Sequence, residues 1–268
     1  MSNSEKREKC RLYWLVALNT IAFVFMLAVN ITANLAPING IETGMVSDTF
    51  ANLFTPAALT FLIWILIYLL LGGFVAYQFA GINNEKTRAA IFAIGPFFII
   101  SCLANAAWLI AWHYLLLETS VLLILILLQC LATIFLTLKR IKFNLTVQKV
   151  LLGLPFEIYF GWITVASAAN IASLLVSFGF PDKSFLGQIF IVILILLTAL
   201  LALFILLKYK AAAYALVFVW SYLGILAKHL SSRGYNREYP FVIAAAAAGI
   251  ILLSVGIKYI KQKKKSLA

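Results

Sequence analysis

Few residues in this sequence are able to do chemistry, and the most telling of them lie where water does not reach. The segment Leu154–Asn170, LPFEIYFGWITVASAAN, sits inside an apolar run from about Val147 to Val176, yet it holds Pro155, Glu157, Tyr159, Trp162 and Asn170. An apolar run of that length reads as a membrane-crossing helix, and polar groups inside one are costly and mark function. At 100° per residue, Pro155, Tyr159, Trp162, Ala166, Asn170 and Ser173 fall on one face, and Glu157, Gly161, Thr164 and Ala168 on the opposite one. A helix facing lipid alone needs neither decoration, so this one is expected to be central and packed on two sides. Indole and phenol rings stack on flat ligands and an amide orients them by hydrogen bonding. Glu157, the one carboxylate deep in an apolar run, is a candidate proton site.

Two other runs carry the same kind of residue. In one, Thr60, Trp64, Tyr68 and Gln78 share a face, with Pro56 expected to begin the helix; in the other, Ser101, Asn105, Trp108 and Trp112 do. Counted at 1.5 Å per residue, Trp64 lies about 12 Å, Asn105 about 15 Å, Trp108 about 10 Å, Asn170 about 9 Å and Trp162 about 21 Å from the outer ends of their spans. Trp64, Trp108 and Trp162 with Asn105 and Asn170 are therefore expected to line one cavity between the outer surface and the bilayer centre. Trp64 and Trp162 are too deep for the interfacial belt that accounts for Trp14, Trp112 and Trp220.

The elements that must hold these residues follow from composition. Of the 268 residues 64% are hydrophobic and 11% charged, and the mean hydropathy is +1.04. That is an all-α, polytopic membrane bundle. Eight spans are read, at roughly 12–34, 57–80, 89–115, 119–138, 147–176, 186–207, 211–229 and 240–260. Seventeen of the 21 Lys and Arg residues fall at the termini and in the even-numbered connections, and four in the others. That asymmetry puts both termini in the cytoplasm, as an even number of spans requires. The net charge of +12 is distributed over segment ends, so no nucleic-acid partner is expected. Cys10, Cys102 and Cys130 form no ligand spacing. HExxH, a nucleophile elbow and paired carboxylates are all missing, and only His113 and His229 are present, so neither an enzyme nor a metal site is expected. The first outer connection, about Leu35–Thr55, with Pro37, Gly40, Glu42, Gly44 and Asp48, reads as an ordered turn-rich segment, either lying over the outer mouth of the bundle or serving as a plain connector.

The fragments FTPAALTFLIWILIY (54–68), LANAAWLIAWHY (103–114) and LPFEIYFGWITVASAAN (154–170) resemble the tryptophan-rich sensory protein family, TspO/MBR, whose mammalian members are called translocator proteins. The likeness rests on Pro56, Phe61, Trp64 and Tyr68, then Asn105 and Trp108, then Pro155, Trp162, Ala166 and Asn170, and it covers about residues 11–178. It implies a five-helix core at 1–178 with three added helices in 179–268. It also implies a cavity under the first loop for porphyrins, other flat apolar molecules or sterols. The aromatic-rich loop of that family is replaced here by one with Gly, Asn and Asp.

The leading reading is a membrane protein, sensor or transporter-like, that binds a flat apolar ligand through Trp64, Tyr68, Asn105, Trp108, Tyr159, Trp162, Ala166 and Asn170. No cofactor is required, although a bound tetrapyrrole fits. The alternative is a proton-coupled secondary transporter of a small molecule using Glu157. The expected partners are the lipid bilayer, a small apolar ligand and a second copy in a homodimer, in a bacterial cell membrane. Part of the 186–261 block is expected to dock on the Gly161, Thr164 and Ala168 face and to shield Glu157, raising its pKa. The competing reading pairs Glu157 with a loop lysine.

Overall fold

A computed structural model describes residues 3–36, 38–40 and 49–265, and every regular element among them is helical. The helices are α1 (Asn3–Leu35), α2 (Ile63–Ala80), α3 (Glu85–His113), α4 (Leu117–Leu138), α5 (Leu154–Ser177), α6 (Phe185–Tyr209), α7 (Ala212–Leu230) and α8 (Pro240–Lys265). A 3₁₀ segment, Ala58–Leu62, precedes α2, and a short α turn with a π turn, Thr146–Gly153, leads into α5. With these extensions all eight are long and apolar enough to cross a membrane. The protein is an integral, multi-pass membrane protein. Pro37, Glu42, Gly44 and Asp48 lie outside the described residues.

Local chemistry sets the starts of the helices. The Asn84 side chain accepts from the amides of Lys86 and Thr87 at the head of α3. Ser184 does the same for Gly187 in α6, at 3.1 Å. Pro240 opens α8, in the turn where no amide donor is needed. The second span departs from its expected start. Ala57 is extended, with ψ 149°, and its amide bonds to the Gly224 carbonyl at 3.0 Å, so the α-helix begins only at Ile63.

Contacts gather the chain into two compact units, Met1–Thr43 with Trp64–Phe160, and Gly44–Ile63 with Gly161–Ala268. In the first, Leu12 and Val16 of α1 pack on Ile91 of α3, and Phe74, Phe98 and Phe156 meet edge to face at 5.0, 5.0 and 5.9 Å. Helices in lipid gain little from hydrophobicity and associate through close packing and interhelical hydrogen bonds. In the second unit, Gly161 supplies the close approach. A Cβ there would stand 3.1 Å from the Tyr214 carbonyl oxygen and 3.1 Å from Val217 Cβ. Thr164 Oγ1 and Tyr214 Oη share a hydrogen bond at 3.0 Å on the same face. The added block therefore docks through α7 on the small-residue face.

Candidate functional site

In the first unit, α1, α2, α3 and the opening turns of α5 bring together one polar chain and one stack of rings. Tyr68 Oη donates to Asn30 Oδ1 at 2.6 Å, Asn30 Nδ2 donates to Asn105 Oδ1 at 2.8 Å, and Asn105 Nδ2 donates to Tyr159 Oη at 2.9 Å. Asn105 and Tyr159 are wholly buried and Asn30 nearly so. Asn30 also donates to the Met26 carbonyl at 2.9 Å. A buried polar group is tolerated in hydrocarbon only when it is satisfied, so each member of this chain holds the next in place.

The rings form a ladder beside it. Trp64 lies near-parallel to Tyr68, with centroids 5.4 Å apart and planes at 18°. It lies at 6.1 Å and 30° to Trp108, and Trp108 continues the stack to Trp112 at 6.4 Å and 25°. Tyr159 meets Trp64 edge-on at 6.0 Å. Trp64 and Tyr68 are half-buried, whereas Trp108 is buried. The Trp108 indole N–H, shut away from solvent, has no acceptor among the described residues. An unpaired buried donor is costly, and this one belongs to the ring stack itself.

Five of the residues singled out from the sequence, Trp64, Tyr68, Asn105, Trp108 and Tyr159, thus meet in one place. Trp162, Ala166 and Asn170 belong to the second unit. There Trp162 is buried with Phe61 edge-on at 5.7 Å, Asn170 is buried, and Ala166 is half-buried. Gln78 shares the Trp64 face but stands about 21 Å further along the helix. It accepts there from Asn19 Nδ2 at 2.7 Å.

Glu157 takes the competing reading, a pair with a lysine: Lys139, just past the end of α4, donates to its Oε1 in a partly exposed ion pair. The carboxylate sits close enough to the end of α5 for a lysine stem to reach it, which costs less than burying it unpaired.

Asn30 is the participant that the sequence reading passed over. Its signal was present, as an amide inside the apolar first span. His113 and His229 both serve backbone. One ring nitrogen of each donates to a carbonyl of the connection between the first two spans, His113 Nδ1 to Ile38 at 3.3 Å and His229 Nε2 to Leu53 at 3.0 Å. Within the second unit that connection is held further. Leu53 N donates to Asp182 Oδ2 at 3.1 Å, Tyr235 Oη to the Asn52 carbonyl at 3.1 Å, and Asn52 Nδ2 to Ser173 Oγ at 3.0 Å. Burial pushes the Asp182 carboxyl above its ordinary range, while the Leu53 amide and the nearby Lys183 charge pull the other way.

A family model described as TSPO-like protein matches residues 15–259. The match reaches into all eight helices. No curated protein and no solved structure matches the chain.

Proposed function

Since the chain belongs to the TSPO-like protein family, we propose that it binds a flat, largely apolar ligand, tetrapyrrole-like or sterol-like, at the ring ladder of its first unit. The carrying observation is the buried Trp108 N–H, without an acceptor among the described residues, next to the half-buried rings of Trp64 and Tyr68. A ligand oxygen accepting from that N–H would remove an unsatisfied donor, and the rings would supply stacking area. The chain from Tyr68 to Tyr159 fixes the ladder and pre-organises the site. Asn105 and Tyr159 act through that chain, and the rings and the Trp108 N–H are the direct contacts. The ion pair of Glu157 with Lys139 favours a structural carboxylate over a proton carrier, so the binding reading is preferred to the transporter.

The test is titration of the purified protein with protoporphyrin, followed by tryptophan quenching and by the ligand's absorbance. Trp64→Ala is expected to lower affinity at least about tenfold through lost ring area. Trp108→Phe keeps a ring and removes the N–H, and is expected to weaken oxygen-bearing ligands selectively. Unchanged binding in both variants rejects the site. We further place both termini in the cytoplasm on the distribution of basic residues. Thr49→Cys should then react with an impermeant reagent on intact cells, and labelling only after permeabilisation refutes that orientation.

A further inference from the structure

Two clefts open near helix ends, and their charges separate them. The one in the first unit, about 310 Å³, is lined by Glu5, Glu8, Lys9 and Arg88 among others. Its carboxylates and cations balance, so it has no preference for either sign. The one in the second unit, about 420 Å³, is lined among the described residues by Ser254, Ile257, Lys258, Lys261 and Gln262 of α8, with no carboxylate among them.

More positive charge stands at the same level. A Cβ on Gly249 would lie 3.6 Å from Ala199 Cβ, and one on Gly256 would lie 2.9 Å from Leu203 Cδ1 and 3.0 Å from Leu206 Cδ2. Helices α6 and α8 therefore run parallel, and Lys208 and Lys210 at the end of α6 reach the level of Lys258 and Lys261. Asp182 and Glu238, the acidic residues of this unit among those described, precede α6 and α8. That is about 27 Å away, counted from Pro240 to Lys258 at 1.5 Å per residue.

The cleft also has an apolar approach. Ile251, Val255, Lys258 and Gln262 follow one another at helical spacing on one stripe of α8. Ile251 is 64% exposed and Val255 62%, as residues facing acyl chains are. Ammonium groups, a hydroxyl and an amide NH2 can each donate to an anionic oxygen, and basic clusters at the ends of membrane spans recognise anionic headgroups.

We propose that this cleft holds the phosphate of an anionic phospholipid, with an acyl chain lying along Val255 and Ile251. The site is independent of the ring ladder. The free anion could supply the same phosphate chemistry, but the apolar stripe leading into the cleft favours the lipid.

The experiment uses the full chain in neutral detergent micelles, with native mass spectrometry counting retained lipids. Phosphatidylglycerol competes against phosphatidylcholine of the same chains, and inorganic phosphate is the headgroup-only probe. Phosphatidylglycerol should be retained in preference. K258Q/K261Q should lower that preference about 25-fold, at about fivefold for each lysine. K258R/K261R should keep it, and so should K6Q/K9Q at the other end of the chain. Both cleft lysines are exposed, so the fold does not depend on them, and an unchanged helical circular dichroism melt checks this. Equal retention of the two lipids by the wild type overturns the proposal. So does a preference that survives K258Q/K261Q or is lost equally in K6Q/K9Q. Displacement of the lipid by inorganic phosphate at equal concentration would reduce the site to a free-anion site and overturns the lipid assignment.

Discussion

Asn105 is the residue on which the buried polar chain turns. It accepts from Asn30 at 2.8 Å and donates to Tyr159 at 2.9 Å, and it is wholly buried. Asn105→Ala removes both bonds. Asn30 keeps one donor in use through the Met26 carbonyl, so one amide hydrogen of Asn30 is stranded, and Tyr159 Oη loses a donor. Interhelical side-chain hydrogen bonds in membrane proteins average about 0.6 kcal/mol and reach about 1.7 kcal/mol. Two of them put the loss at about 1.2 to 3.4 kcal/mol, with a further cavity cost for the shortened side chain. Asn105→Leu keeps the volume and isolates the polar part. The assay is reversible unfolding of the purified protein in mixed micelles of increasing sodium dodecyl sulfate. A double-mutant cycle with Tyr159→Phe is included, because a cycle measures the pair directly. The expected coupling between positions 105 and 159 is about 0.6 to 1.7 kcal/mol. Additive single effects, with coupling near zero, would refute the hydrogen bond. An Asn105→Leu variant as stable as wild type would refute the claim that the chain holds the ring ladder. The same variant should weaken protoporphyrin through disorder of Tyr159 and Trp64, leaving the Trp108 N–H in place.

Gly224→Ala should cost about 1 to 3 kcal/mol, because a Cβ there overlaps Thr60 Oγ1 and stands 2.9 Å from Pro56 Cβ. It would also part Ala57 from the Gly224 carbonyl at 3.0 Å and Trp220 Nε1 from the Thr60 carbonyl at 2.9 Å. A melting curve unchanged from wild type would contradict this close approach, and Thr60→Gly should recover part of the loss. For Asp182 the folded-state pKa is raised by burial, so its contribution to stability is full below the unfolded value, about 3.9, and is lost as pH rises through the higher folded value. Asp182→Asn keeps an acceptor for Leu53 and should flatten that acidic-range fall in melting temperature; an identical slope in both proteins argues against burial of the carboxyl. Glu157→Lys and Lys139→Glu should each destabilise, by about 1 kcal/mol for a partly exposed pair, and the exchanged double variant should recover most of it. No recovery would mean that the two side chains do not pair.

The eight spans, their order and the all-helical class were legible in the sequence because apolar length and helical period are local properties. Helix starts at Asn84 and Ser184 follow from side chains within a turn of the amides they serve, and the start at Pro240 from a residue that needs no donor there. The small-residue face of Gly161 and Thr164 was legible too, since a face without bulk invites a neighbouring helix. A helical wheel gives the side of a helix on which a residue lies, but not the helix that comes to meet it. Tertiary packing paired Asn105 with Asn30, 75 positions away, gave Gln78 to Asn19 and Glu157 to Lys139, and gathered Tyr159 with Trp64 while Trp162 fell to Phe61. It also moved the start of α2 to Ile63, because the Ala57 amide found a carbonyl on α7. For the amide, carboxylate and backbone pairs the deciding term is the cost of leaving a buried polar group unpaired, and for the rings it is close packing. Only the assembled bundle determines which partner is near enough to remove that cost.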